Sequence, residues 1–349
     1  MPKQELAEYL PEFVGGIREF TSVKELKYDL IHSHYWMSGI AAKELKKQWN
    51  IPIVQMFHTL GVMKQRVARE EEEVEGQYRL DGELEVLNIA DRIIAATPAE
   101  YAQLQWLYGA ATDKIVVIPP GVDMSRFYPI PPDEAKEFIG VNPCQKVLLF
   151  VGRIEPLKGI DTLMKAIALL RDQGLEVCLS IIGGDPDLNL EVQSAEMARL
   201  KAIREDIGLS DQIGFLGKRA QDTLPYYYSA AEAVVVPSHY ESFGMVALEA
   251  MACGTPVVAS QVGGLAFLVK DGETGFTVPA NNAQLLADKL KILLGDSELR
   301  AEMGQKAFAE AQSYSWEIIA QKMSALYMRV IDQNGLKQKD AFDYKNDDL

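Results

Sequence analysis

From Asp29 onward the chain alternates short apolar runs with stretches whose apolar residues recur every three or four positions. The short runs, bounded by turn formers, predict strands; the longer period predicts amphipathic helices. "YDLIHSH" (28–34), "IPIVQMFH" (51–58), "DRIIAATP" (91–98) and "KIVVIPPG" (114–121) read as strands. "MSGIAAKELKKQW" (37–49), the charged segment 69–90 and "AEYAQLQWLYG" (99–109) read as helices, with the glutamate run 70–73 a solvated helix face. The pattern breaks at "DMSRFYPIPPDEAKEFIGVNP", which holds four prolines and a polar stretch, and this predicts a linker. A second series follows from Lys146: strands at 146–152, 176–184, 213–217, 233–238 and 256–260, helices at 161–174, 196–208, 223–231 and 243–254, a short unit over 264–278, then two helices.

Such alternation predicts an α/β protein with two doubly wound parallel sheets and a cleft between them. The expected boundaries are 1–130 for the first domain, 131–145 for the linker and 146–315 for the second domain. A helix over 316–335 crosses back to the first, and 336–349 is a polar tail. Ligands in open parallel sheets bind outside the carboxyl ends of the strands, so the loops there are the places to look for chemistry.

Composition narrows the choice. The chain has 349 residues, enough for two ordinary domains, and with 48% hydrophobic and 24% charged residues it is globular rather than disordered. Its apolar runs are far too short to span a bilayer, and the opening "MPKQELAEYL" is polar and charged, without a leader pattern. Cys144, Cys178 and Cys253 have no metal-like spacing, and the last two sit in apolar stretches, as reduced core residues do. The expectation is a cytoplasmic protein. A formal net charge of −15 repels nucleic acid. If so acidic a protein handles a small phosphate, it must gather its cations locally.

"VGRIEPLKGI" (151–160) does that. Arg153 and Lys158 follow a predicted strand and precede a helix, flanked by Gly152 and Gly159. A guanidinium fork and an ammonium suit a diphosphate. The plainer reading, two surface cations at a helix start, works against the helix dipole. In "HYESFGMVALEAMACGTPVVAS" (239–260) a strand runs through a loop into a helix predicted to open at Phe243–Gly244. The N–H groups of Phe243, Gly244, Met245 and Val246 would lack intrahelical partners and could hold phosphate oxygens. Glu241 precedes this helix and Glu249 lies within it, among apolar neighbours. A buried carboxylate needs a partner: a ribose diol would serve, and so would a core lysine, with Glu241 then merely complementing the dipole.

"GRIEPLKG", the glutamate-x7-glutamate stretch, "VIPPGVDMSRFYP", "VGGLAFLVKDGETGFTV" and "YSWEIIAQKMSALY" together resemble the retaining nucleotide-sugar glycosyltransferases of family 4, over residues 26 to 330. "YDLIHSHYWMSG", "FHTLG" and "DRIIAATP" most resemble the branch of sucrose-phosphate synthases and D-inositol-3-phosphate glycosyltransferases. The resemblance implies a GT-B fold of two Rossmann-like domains, the first on the acceptor side. It implies transfer of a hexose from a donor of the UDP-glucose type to a small hydroxyl or sugar-phosphate acceptor, without a bound metal or cofactor, the nucleotide-sugar being a substrate. Arg153 and Lys158 would bind the donor diphosphate, Glu249 the ribose, and Gly152 and 242–246 (Ser242, Phe243, Gly244, Met245, Val246) phosphate or sugar hydroxyls. Glu241 would lie beside the transferred sugar and His58 near sugar and acceptor, whereas His32 and His34 read as structural. Tyr35, Thr59 and Arg79 would approach an acceptor phosphate.

The family's opening strand and glycine-rich loop have no match here, and Gly15–Gly16 lies inside an amphipathic stretch. The first domain is therefore expected to be incomplete. A truncated frame, a partner chain or second copy that completes it, and a first domain that has lost catalysis all fit that expectation. Under the last, the chain is a nucleotide-sugar-binding or scaffold protein derived from a transferase. A phosphorylase-like enzyme on the same fold would instead need a pyridoxal phosphate lysine context.

Overall fold

A computed structural model of the protein describes residues 5–67, 76–142, 145–185 and 194–346. The glutamate run 70–73 and Cys144 lie outside the described residues. The chain divides into two compact units, one of residues 1–119 and 319–349, the other of residues 120–318.

The first unit carries a four-stranded parallel sheet in the order β1 (Ile31–His34), β2 (Ile53–Met56), β3 (Arg92–Ala95), β4 (Ile115–Val117). Helices α1 (Leu10–Val23), α2 (Trp36–Trp49), α3 (Gly61–Val67), α4 (Gln77–Ile89) and α5 (Pro98–Tyr108) connect or flank these strands. Ile53, Phe57, Val86, Ile93 and Leu104 are shut from solvent between sheet and helices. The helix α1 contains Gly15 and Gly16 and packs Leu10, Val14 and Ile17 against Ala41 and Leu45 of α2. Much of α14 (Trp316–Asn346) belongs to this unit.

The second unit holds six parallel strands: β5 (Val147–Val151), β6 (Cys178–Ile182), β7 (Ile213–Gly217), β8 (Ala233–Val236), β9 (Val257–Ser260) and β10 (Gly275–Val278). Their order is β10-β9-β8-β5-β6-β7. The chain thus starts in the middle, winds outward to β7, returns beside β5 as β8 and winds the other way. Strands covered on both faces must be apolar throughout, and β8 (Ala233, Val234, Val235, Val236) is buried along its whole length. The helices are α6 (Pro132–Phe138), α7 (Ile160–Asp172), α8 (Ala195–Asp206), α9 (Leu224–Ala230), α10 (Met245–Ala252), α11 (Leu265–Leu268), α12 (Ala283–Gly295) and α13 (Ser297–Gln312).

The sequence pattern and the structure differ in three places. The stretch 131–145, expected as a linker, carries α6 and is counted with the second unit. Pro132 opens that helix, Lys136 pairs with Glu232 at 2.9 Å, and Phe138 stacks on Tyr226 with ring centres 3.8 Å apart. Three helices, not two, follow β10. Cys253 is buried as expected, but Cys178 on β6 is partly exposed; both are free thiols. Among the described residues, no helix is long and apolar enough to cross a membrane.

Candidate active site

The order of strands in the second unit reverses between β5 and β8, and a crevice opens at such a switch point beyond the carboxyl ends of the two strands. The loop after β5 is 152–159 and the loop after β8 is 237–244. The two segments singled out by their chemistry therefore meet at this switch point.

The loops are stitched together by backbone. The N–H of His239 donates to the carbonyl of Leu157 at 2.8 Å. Gly159, at φ 65°, sits so close to the carbonyl of Pro237 that a Cβ would lie 2.1 Å from its oxygen. That contact brings Lys158 to Glu241, Nζ to Oε2 at 2.6 Å, with only 18% of each side chain exposed. Glu241 is fixed from the other side: Gly264 N–H donates to its carbonyl at 3.0 Å, and a Cβ on Gly263 (φ 48°) would lie 1.9 Å from that same oxygen. Arg153 behaves differently. Its side chain is 72% exposed and pairs with Glu155 at 2.6 Å, so Lys158 and Glu241 are held together while Arg153 stands apart from them.

Helix α10 starts at Met245 with Gly244 as its N-cap, at φ 106° and without a side-chain cap. The start falls one or two residues later than the sequence suggests, within the usual uncertainty of helix ends. First-turn N–H groups have no partner inside a helix, so those of Met245 and Val246 face outward beside Gly244, Phe243 and Ser242. Gly152 follows β5 and donates its N–H to the carbonyl of Ile182 at 3.0 Å.

Glu249, on the second turn of α10, accepts a hydrogen bond of 2.6 Å from the hydroxyl of Tyr228 on α9, a residue wholly shut from solvent. Burial raises the carboxyl above its ordinary range, partly offset by the Tyr228 bond and the charge of Arg126. The partner of this half-buried carboxylate is thus a phenol, which the sequence hid inside the apolar-looking "PYYYSA".

In the first unit, Tyr35 caps α2 at φ 70° and His58 follows β2 at φ 63°, both uncommon for residues with a side chain. Arg79 of α4 is fully buried. Its Nη2 donates to the carbonyl (2.9 Å) and hydroxyl (3.0 Å) of Thr59, and its guanidinium lies 5.3 Å from the centre of the Tyr35 ring. Tyr35, Thr59 and Arg79 are therefore neighbours. Glu83, which the sequence did not single out, completes the cluster. It accepts from Arg79 Nε at 2.8 Å, from Gly61 N–H at 3.0 Å and from the hydroxyl of Tyr108. Burial and this carboxylate raise the Tyr108 phenol above its ordinary value. His34, read as structural, lies with its Nδ1 2.8 Å from Nε2 of His58.

Two parallel α/β units of this kind, with the glycosyltransferase likeness set out next, define a GT-B glycosyltransferase. Comparison with known proteins gives the family. The description "Glycosyl transferases group 1" matches residues 132–310, and "Glycosyltransferase Family 4" matches residues 6–126. The D-inositol 3-phosphate glycosyltransferase of Actinosynnema mirum is 38% identical over 337 residues, 95% of this chain and 80% of the relative. That of Arthrobacter is 39% identical over 340 residues, 95% and 78%. Among solved structures, sucrose-phosphate synthase from Thermosynechococcus elongatus superposes with a TM-score of 0.85 at 36% identity, over 95% of this chain and 81% of that one. Anabaena HepE in complex with UDP-glucose gives 0.77 at 25%, over 94% and 84%. The chain belongs to glycosyltransferase family 4.

Proposed function

We propose that the protein is a retaining hexosyltransferase that takes its sugar from a nucleotide-sugar of the UDP-glucose type and gives it to a small hydroxyl or sugar-phosphate acceptor. The observation that carries this reading is the half-sequestered Lys158–Glu241 pair beside the start of α10, at the switch point of the second unit. When the sugar–phosphate bond breaks, charge develops on the leaving diphosphate, and fixed cations and N–H groups there act most strongly at that moment. Lys158, with Arg153 swinging from Glu155, neutralises the diphosphate. The N–H groups at 243–246 and the hydroxyl of Ser242 take its oxygens or the sugar hydroxyls, and Gly152 lets them approach. Glu249 accepts from the ribose diol. Glu241, drawn off Lys158, orients the sugar. The acceptor oxygen bonds the anomeric carbon on the face the phosphate leaves, and its proton passes to the departing phosphate oxygen. No metal or cofactor enters this scheme.

In the first unit, Tyr35, Thr59 and Arg79 form the cradle proposed for an acceptor phosphate, with His58 toward the sugar and acceptor. The names of the relatives, D-inositol 3-phosphate glycosyltransferase and sucrose-phosphate synthase, favour a phosphorylated polyol or sugar on one side of the reaction. The test is release of nucleoside diphosphate from UDP-, ADP- and GDP-glucose with a panel of sugar and inositol phosphates, and the anomeric configuration of the product by proton NMR. Transfer with retained configuration is expected. An inverted product, or binding of donor with no release under any pairing, would reject the reading.

A further inference from the structure

Three of the four histidines of the chain stand on β1 or just beyond the carboxyl end of β2. His32 and His34, two residues apart on β1, share one face of the strand. Their ring centres are 4.1 Å apart, and the ring of His34 stacks on that of His58 at 5.0 Å and 17°. At the far end of the column, His32 Nδ1 lies 2.6 Å from the hydroxyl of Tyr327 on α14.

His58 is the member with a strained backbone, at φ 63°. Backbones of that kind persist where the surroundings hold them, and they cluster at functional sites. The surroundings here include His34, whose Nδ1 sits 2.8 Å from Nε2 of His58. A neutral imidazole has one N–H and one bare nitrogen. Once Nε2 is committed to a bond with His34, the proton state of Nδ1 follows: it is bare if Nε2 donates and protonated if Nε2 accepts.

We infer that His34 is a positioning residue for His58, fixing the plane of its ring and the nitrogen it presents to the reaction. This rests on the reading of His58 as a residue near the sugar and acceptor. The titratable groups facing the pair are His32 on β1 and, through it, Tyr327 on α14. Burial is the first cause lowering the proton affinity of all three rings, and the charge of His34 adds to it at His32 and His58. The lowered affinity favours the neutral pair, in which a single proton lies across the bond. Had the contact been simple stacking, any flat ring at position 34 would serve as well.

Two variants separate these cases. His34→Phe keeps a ring for stacking and loses the bond; His34→Gln loses the ring and keeps a group that can donate or accept. In free protein labelled at the imidazole nitrogens, NMR reads the tautomer of His58. A single tautomer is expected in wild type, a mixture in His34→Phe, and a return toward one tautomer in His34→Gln. In transfer assays, His34→Phe should lower kcat by about ten- to a hundredfold, the scale of a misplaced reacting group. The KM for donor should move less than twofold, and His34→Gln should recover part of kcat. An unchanged His58 tautomer in His34→Phe, or equal losses in the two variants, would overturn the inference. If wild type transfers no sugar at all, the proposed function fails, while the tautomer measurement still decides the role of His34.

Discussion

Lys158 and Glu241 show how much a single contact can decide. They carry opposite charges and are largely screened from water, so each is the other's partner, and the proposed diphosphate would compete for the lysine. Truncation to Lys158→Ala removes the cation and leaves the carboxylate facing the incoming anion. The affinity for nucleoside diphosphate should then fall by about 1.5–3 kcal/mol, the range of a charge-assisted hydrogen bond; equal titration calorimetry for wild type and variant would move the diphosphate elsewhere. Glu249 makes a separate prediction. With one oxygen occupied by Tyr228, a carboxylate still offers lone pairs to a ribose diol, whereas an amide has a single acceptor oxygen. Glu249→Gln should weaken nucleotide binding and leave the affinity for inorganic pyrophosphate as it was. The reach of sequence reading at this scale was uneven. Lys158, Glu241 and Glu249 stand out because a charge among apolar or glycine neighbours needs explaining. Tyr228 and Glu83 do not: a tyrosine in an apolar run looks like core, and a glutamate on a charged helix looks like surface.

At the scale of elements, strands were legible to within a few residues, because a run of apolar residues between turn formers has few other meanings in an alternating chain. Prolines misled. They read as a break over 131–145, yet Pro132 stands at the first turn of α6, where its missing N–H costs nothing. The boundary between α12 and α13 was hidden because no proline or long polar gap marks it; Asp296 ends one helix and caps the next, accepting from Leu299 N–H at 2.9 Å. Capping also sets up a pH dependence in α5. Thr97 accepts from Glu100 N–H at 3.1 Å, and Glu100 Oε2 accepts from Ala96 N–H at 2.7 Å. Its Oε1 is buried without a partner, and burial pushes the carboxyl up to about 7, the Ala96 bond opposing it. The native state thus holds a proton there that the unfolded chain releases. This contribution is fully present below about pH 4.5 and is lost as pH rises through about 7, by roughly 3 kcal/mol at most. Glu100→Gln removes the ionisation. Its melting temperature relative to wild type should rise between pH 5 and pH 8, and parallel pH profiles for the two proteins would show that Glu100 does not titrate in this range.

Over the whole molecule, the proposed function divides the work unequally between the two units, and this can be tested without measuring turnover. The parts assigned to the donor all lie in residues 120–318, at the ends of β5 and β8 and the start of α10. The acceptor cradle and the histidine column lie in the other unit. A ligand that binds only the native state stabilises it by RT ln(1 + [L]/Kd), about 2.7 kcal/mol at a hundred times Kd. Where local opening is cheaper than global unfolding, that stabilisation appears first as slower amide exchange in the segments that must open to release the ligand. Saturating UDP should therefore slow hydrogen exchange over 152–160, 237–249 and 262–265. The loops carrying Tyr35, His58 and Thr59 should keep the exchange rates of the free protein, because a nucleoside diphosphate has neither the sugar nor the acceptor phosphate proposed to meet them. Exchange followed by mass spectrometry at peptide resolution separates these segments. Protection centred on 35–59 and absent from 237–249 would place the nucleotide in the wrong unit and overturn the donor assignment as a whole.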